Sequence, residues 1–398
     1  MAHLPEIFRT FLLLGLTSFG GPAAHLGYFR SEFVEKRRWL NDQAYADLVT
    51  LCQFLPGPAS SQVGFGLGLM RGGLPGALAA WVAFTLPSAL ALVLLAGWAS
   101  VSDSPLLMSV LHGLKVVAVA IVAHAVLGMA NSLCPDRQRA SLAMLAVALV
   151  LLLGGIEGQL LAIVAGAAGG WWWCRNSVSG TAASLSIAVS RGVALTALLL
   201  FAALLLLVPL LASGSSSSLV QAFDSFYRAG ALVFGGGHVV LPLLDAETVQ
   251  LGRVSADDFL AGYGATQAMP GPVFTFAGYL GAEWAQTLGG NAAEVLTLAG
   301  IALLAVFLPG FLLLVGMLPF WSVLGQRAGI RAARAGANAA VVGVLGAALY
   351  QPVFTSAVTS AAELVLALLC FVLLTSWKAP SWAVVLVGAA GGLLLGMM

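Results

Sequence analysis

Two short stretches carry residue types that could do chemistry. Residues 53–58 read QFLPGP, and residues 267–272 read QAMPGP. Pro56 and Pro58 remove two backbone donors, and Gly57 allows a turn closed to other residues. Pro270, Gly271 and Pro272 repeat the arrangement. A helix must stop before each stretch and restart after it. The restarted helix offers free N–H groups and the positive end of a dipole, which suits an anion without any cation. Ser60 and Ser61 add hydroxyl donors to the first restart. The second begins at Val273 with Thr275 nearby. Gln53 and Gln267 precede the breaks and can serve freed backbone groups or a ligand. The alternative reading is a packing kink, since membrane helices tolerate proline.

A second pair of breaks precedes the first. FGGP spans Phe19 to Pro22, and FGGG spans Phe234 to Gly237. Gly20 with Gly21, and Gly235 with Gly236, allow the backbone to unwind or helices to approach closely. Unwound backbone at membrane depth is tolerated where it lines a cavity or is buried in protein. Breaks at matching places in two halves of a membrane chain mark a transporter's substrate site. His25 and His238 follow the glycines and are the first candidates for protonation-linked residues. Lys115 aligns with Asn338 in the matching segment of the second half, and both join the candidate site. Lys115 as a snorkelling side chain, and His124 as a packed histidine, are the alternatives. Asp47, Asp245 and Glu363 fall near segment ends and read as interfacial. A scarcity of deep carboxylates argues for an anionic or neutral substrate.

The elements that must hold these residues are membrane helices. Of the 398 residues, 60% are hydrophobic and 8% charged, with mean hydropathy +0.99. A soluble domain carries about 25% charged residues. The formal net charge of +1 points to no partner, and no basic run with interleaved aromatics points to nucleic acid. Cys52, Cys134, Cys174 and Cys370 form no metal-ligand or disulfide pattern. No cleaved signal peptide is expected from MAHLPEIFRT.

The fold class expected is all-α and polytopic, with about 13 transmembrane helices in two inverted six-span repeats containing broken helices. Apolar runs place spans near 8–28, 44–70, 74–99, 108–131, 140–155 and 157–174, then 191–212, then 222–245, 257–284, 293–320, 331–351, 357–377 and 381–397. The first repeat covers 1–174. A serine-rich linker and single extra span cover 175–219, and the second repeat covers 220–398. Asp42 matches Asp257, and FTLP at 84–87 matches FLP at 307–309. One span between two even sets inverts the second. With the N-terminus inside, Lys and Arg divide eleven inside against five outside. The cluster EKRR at 35–38 opposes that orientation, unless it is an interfacial helix or the motif-bearing segments do not cross fully.

At these residues the chain resembles the chromate ion transporter family in its long, two-repeat form. The resemblance rests on FGGP with the following basic stretch and WLND (Trp39 to Asp42), on QFLPGP, FGGGH (Phe234 to His238) and QAMPGP, and on GANAAVVGVL from Gly336 to Leu345. It covers almost the whole chain. It implies a bacterial inner-membrane carrier, multi-pass, that exports chromate and confers chromate resistance as a proton-driven antiporter. Sulfate is the expected competing anion, and an importer or exchanger of sulfate or another oxyanion is the alternative. The partners implied are the anion and the lipid bilayer, with a homodimer left open and no cofactor or metal. One departure is visible: the second half reads GGG where the first reads GGP. No P-loop is present. The five histidines lack the spacing of an enzyme's metal or nucleophile set.

Overall fold

Proline and glycine cut the chain into helices where the sequence places them. The computed structural model describes residues 3–101, 104–175, 189–321 and 327–397. Most of the expected serine-rich linker, residues 176–188, lies outside the described residues. The first half runs α1 (Leu4–Thr17), α2 (Gly21–Arg30) with a π-turn at Ser31–Lys36, α3 (Asp42–Phe54) and α4 (Ala59–Val101). It continues through α5 (Pro105–Leu133), α6 (Arg137–Leu153) and α7 (Gly155–Trp173). Then α8 (Arg191–Ser213) stands alone. The second half runs α9 (Ser218–Ala231), α10 (Val240–Thr248), α11 (Ala256–Thr266), α12 (Phe276–Thr287), α13 (Ala292–Met317) and α14 (Ala328–Ala348). It ends with α15 (Ala361–Thr375) and α16 (Ser381–Gly396).

The protein is an all-α polytopic membrane protein. Five helices among the described residues are long and apolar enough to cross a bilayer: α4, α5, α8, and the segments 292–320 and 328–357. The helices α15 and α16 are shorter and apolar. The motif-bearing segments are broken, as expected, but the two arms of each fold back on one another. Each is a helical hairpin with its break at the tip. Glu6, in the first turn of α1, binds Arg37 beyond α2 at 3.3 Å and Arg71 of α4 at 3.2 Å. Arg30 at the end of α2 binds Asp42 at the start of α3 at 2.8 Å. The outer ends of α1, α2 and α3, and the first stretch of α4, therefore meet at one end of the molecule. That first stretch stops at Gly72 and Gly73, where φ of +64° at Gly73 bends α4 before its crossing part.

The second half closes its hairpins in the same way. Arg228 of α9 binds Glu247 of α10 at 2.9 Å. Arg253 bonds Ser225 of α9 at 2.6 Å and lies 4.1 Å over the Trp284 ring of α12. Hydropathy cannot separate two half-length helices from one span, since both are apolar over about 20 residues.

Packing between helices repeats across the halves. Gly15 of α1 lies against the Ala83 and Phe84 carbonyls of α4, and Gly230 of α9 lies against the Val306 carbonyl of α13. Later helices cross over: Gly113 of α5 meets the Gly388 carbonyl of α16, while Gly336 of α14 meets the Gly166 carbonyl of α7. A side chain at these glycines would strike backbone, so small residues set the helix separation here. Phe65 stacks on Phe311 at 4.3 Å and joins the halves near their centre.

Candidate functional site

The four breaks meet, and they meet crosswise. Gly57 N–H donates to the Val233 carbonyl at 2.7 Å, joining the first PGP break to the second glycine break. Gly271 N–H donates to the Ser18 carbonyl at 2.9 Å, joining the second PGP break to the first glycine break. Ser18 and Val233 each precede the phenylalanine of their FGG motif, so the two bonds occupy the same place in each repeat. Positive φ at Gly20, Gly21, Gly57, Gly235, Gly236 and Gly271 fits the turns that break the helices.

Each PGP turn also lies against the crossing helix that follows the proline of FTLP or FLP. A Cβ on Gly57 would sit 3.0 Å from Gly310 Cα, and one on Gly271 would sit 3.0 Å from Ser88 Oγ. Gln62 locks the first junction, donating to the Gly310 carbonyl at 2.9 Å and to the Pro56 carbonyl at 3.1 Å. Ser88, Gly310 and Gln62 were not among the expected site residues. Their signal lay in the sequence: Ser88 and Gly310 directly follow the prolines that align the two crossing helices.

The candidate residues divide by what they touch. His25 is fully buried, with its ring nitrogens 3.4 Å from Ser60 Oγ and 3.2 Å from the Ser18 carbonyl. It ties the first glycine break to the first PGP break. His238 Nδ1 lies 2.8 Å from the Tyr263 hydroxyl of α11, tying the second glycine break to the helix leading into the second PGP break. Asn338 packs against Gly235. Pro58, Ser60, Ser61, Gly271, Pro272 and Thr275 are buried, with Pro56 and Pro270 partly so. Gln53 departs from expectation: its side chain is exposed, and only its carbonyl takes part, accepting from Arg334 Nη1 at 3.2 Å. Thr275 turns its hydroxyl onto the Pro272 carbonyl at 2.7 Å, within its own turn.

Among the described residues, several buried polar atoms at the junctions have no hydrogen-bond partner. They are Ser18 Oγ, Ser61 Oγ, Thr85 Oγ1, Gln62 Oε1 and Gln267 Nε2. Buried polar groups are nearly always bonded in native proteins, so a group of orphans at one place indicates a missing polar partner. Three of the five are hydroxyls and one is an amide N–H, all able to donate.

The cation at the site also differs from expectation. Lys115 is an ion pair with Asp257, in the first turn of α11, so its charge is neutralised away from the break residues. The matched positions Lys115 and Asn338 therefore have different surroundings. Arg334 of α14 reaches the first PGP segment instead: it is half-buried, bonds the Gln53 carbonyl and lies 5.1 Å over the Phe54 ring, and among the described residues it is in no ion pair. Several carboxylates are buried within the protein. Asp245 and Glu247 are each 3% exposed, and Asp47, Asp224, Glu283 and Glu363 are buried as well. Among the described residues no group of three His, Cys, Asp or Glu side chains could hold a metal.

Comparison with known proteins places this geometry in context. A family model described as chromate transporter matches residues 5–171 and 220–393. A chromate transport protein of Cupriavidus metallidurans is 29% identical over 395 residues, covering 97% of this chain and 92% of that protein. A probable chromate transport protein of Synechococcus elongatus is 27% identical over 372 residues, covering 86% of this chain and 84% of that protein. A chromate transport protein of Pseudomonas aeruginosa is 27% identical over 347 residues, covering 86% and 79%. No solved structure matches the chain.

Proposed function

The chain belongs to the chromate transporter family, and from that premise we propose that it exports chromate across a bacterial inner membrane by secondary active transport. The observation that carries the reading is the crosswise junction of the four breaks with its orphaned donors. Chromate is a tetrahedral dianion with four acceptor oxygens. Ser18, Ser61, Thr85 and Gln267 offer donors without a protein partner, and the first turn of α4 adds backbone N–H groups and a helix dipole. Arg334 supplies the fixed charge that a desolvated dianion requires.

The two halves act as inverted repeats about an axis through the junctions. The hairpins of the first half enter from one side and those of the second half from the other, because four crossing helices and then α8 separate them. Placing the first hairpins inside carries Arg30, Lys36, Arg37 and Arg38 to the cytoplasm and moves Arg253 out. Eleven against five becomes fourteen against two, which is the asymmetry an inner-membrane protein shows. Alternating access follows from rocking one hairpin pair against the other around fixed junctions.

The test is flux of radiolabelled chromate in everted vesicles, with sulfate as competitor, with and without an imposed gradient. Uptake into everted vesicles that needs the gradient supports export. Uptake only into right-side-out vesicles, or sulfate moving in place of chromate, overturns it.

A further inference from the structure

Outside the junctions, one cleft brings together two buried acceptor oxygens that have no donor among the described residues. It has a volume of about 360 Å³ and lies between the end of α6, the start of α7, α10 and the end of α14. Asp245 of α10 and Gln159 of α7 line it, exposed by 3% and 4%. Gln250 donates to Asp245 Oδ2 at 2.9 Å, but Oδ1 has no partner. Gln159 donates from Nε2 to the Pro242 carbonyl at 3.0 Å, one helical turn before Asp245, and its Oε1 has no partner. An unpaired carboxylate oxygen and an unpaired amide oxygen thus share one cleft. Burying both without a donor costs several kcal/mol.

The charged groups nearby are otherwise engaged. Arg228 of α9 is held by Asp224 and Glu247. Arg253 is held by Ser225 and Trp284. Glu157 opens α7, and Glu283 of α12 is a further carboxylate, so neither can neutralise Asp245. The helices α6 and α14 carry their arginines at the opposite end.

We propose that Asp245 and Gln159 form a monovalent-cation site, for H⁺ or Na⁺, that couples cation movement to anion transport. Asp245 is the one carboxylate among the residues lining the cleft, which suits a single positive charge; Ca²⁺ sites are built from about six to eight oxygens, several of them carboxylate. The position allows coupling, since α10 descends directly from the glycine break whose Val233 carbonyl holds Gly57. The repeat supplies no second copy: the matched residue in the first half is Arg30, exposed and paired with Glu35 and Asp42. One cation site against one anion site follows.

This inference rests on the transport reading, so its test has an arm that does not. In proteoliposomes holding the full chain, a pH gradient and a Na⁺ gradient are imposed separately. Asp245→Asn should lose gradient-driven chromate accumulation by about tenfold or more, within the range that losing one coupling free energy produces. Chromate–chromate exchange without a gradient should survive. Asp245→Glu should restore part of the driven accumulation. In parallel, the wild-type chain is treated with a hydrophobic carbodiimide, and the adduct at Asp245 is measured by mass spectrometry. Labelling that falls as pH rises identifies H⁺, and labelling blocked by Na⁺ identifies Na⁺. Asp245→Asn accumulating chromate like the wild type, or an Asp245 adduct indifferent to both ions, overturns the proposal. If the wild type moves no chromate, the transport reading fails alone and the labelling still decides the cation site. If Asp245→Asn does not fold, the wild-type labelling decides.

Discussion

Replacing Gly57 or Gly271 with alanine tests whether the crosswise junction is the working centre. Both residues have left-handed φ, +117° and +97°. A non-glycine residue held there costs about 1–3 kcal/mol. The added Cβ also lands 3.0 Å from Gly310 Cα or Ser88 Oγ, close enough that a neighbour must move. Relaxing the turn instead would strain the bond to Val233 or Ser18, worth about 0.5–1.5 kcal/mol. The cheaper route sets the cost, at about 0.5–1.5 kcal/mol, with 1.4 kcal/mol per tenfold. Chromate flux in vesicles should fall by about two- to tenfold in each variant if the cost falls on the transporting conformations. Gly300→Ala on α13 is the control, because a Cβ there meets nothing within 4 Å. The melting temperature of purified protein separates lost folding from lost transport. Wild-type flux in both junction variants would refute the idea that these turns form the anion site.

Other outcomes follow from the same geometry. Arg334→Ala should raise the chromate KM by about tenfold, the scale of one charged hydrogen bond, and Arg334→Lys should restore part of it; an unchanged KM removes Arg334 from the site. Lys115→Ala should impair transport more than Lys115→Arg, because Lys115 is the buried member of its pair with a largely exposed Asp257; retained flux in Lys115→Ala counts against this. His25→Gln and His238→Gln should keep the wild-type response to a pH gradient while lowering thermal stability, since both rings bridge break elements; a flattened pH response would return proton coupling to the histidines. In a background without native cysteines, Gln43→Cys and Gln138→Cys should react with an impermeant reagent from the cytoplasmic side, and Leu251→Cys from the other; labelling of Gln43→Cys from outside would sink the hairpin arrangement.

The breaks were legible because proline and glycine act locally. Pro56 to Pro58 and Pro270 to Pro272 stop a helix whatever surrounds them, and their recurrence marked a repeated unit. What the breaks touch was not legible. The bonds from Gly57 to Val233 and from Gly271 to Ser18 join residues far apart in the chain, and no local propensity encodes them. Arg334 was hidden for the same reason. In the sequence it belongs to a basic cluster at a helix start; in space it reaches the carbonyl of Gln53. Lys115 misled in the opposite direction, since a lone lysine in an apolar run looks unpaired until α11 brings Asp257 to it.

The hairpins show what period and hydropathy lack. A 14-residue α1 followed by a 10-residue α2 has the apolar length of one tilted span, and no window average distinguishes the two. Charge placement does. A crossing segment would leave Arg30, Lys36, Arg37 and Arg38 outside, against the positive-inside rule, whereas a hairpin returns all four to the side of Glu6. Glu6 then has Arg37 and Arg71 as partners, and Asp42 has Arg30. The cluster that opposed the orientation is the latch that closes the hairpins. The tips are joined across the halves by the two backbone bonds, by Gln62 on the Gly310 carbonyl and by Phe65 on Phe311, whereas the outer ends are closed by the ion pairs of Glu6 and Asp42. On the transport reading, alternating access turns about that doubly joined centre.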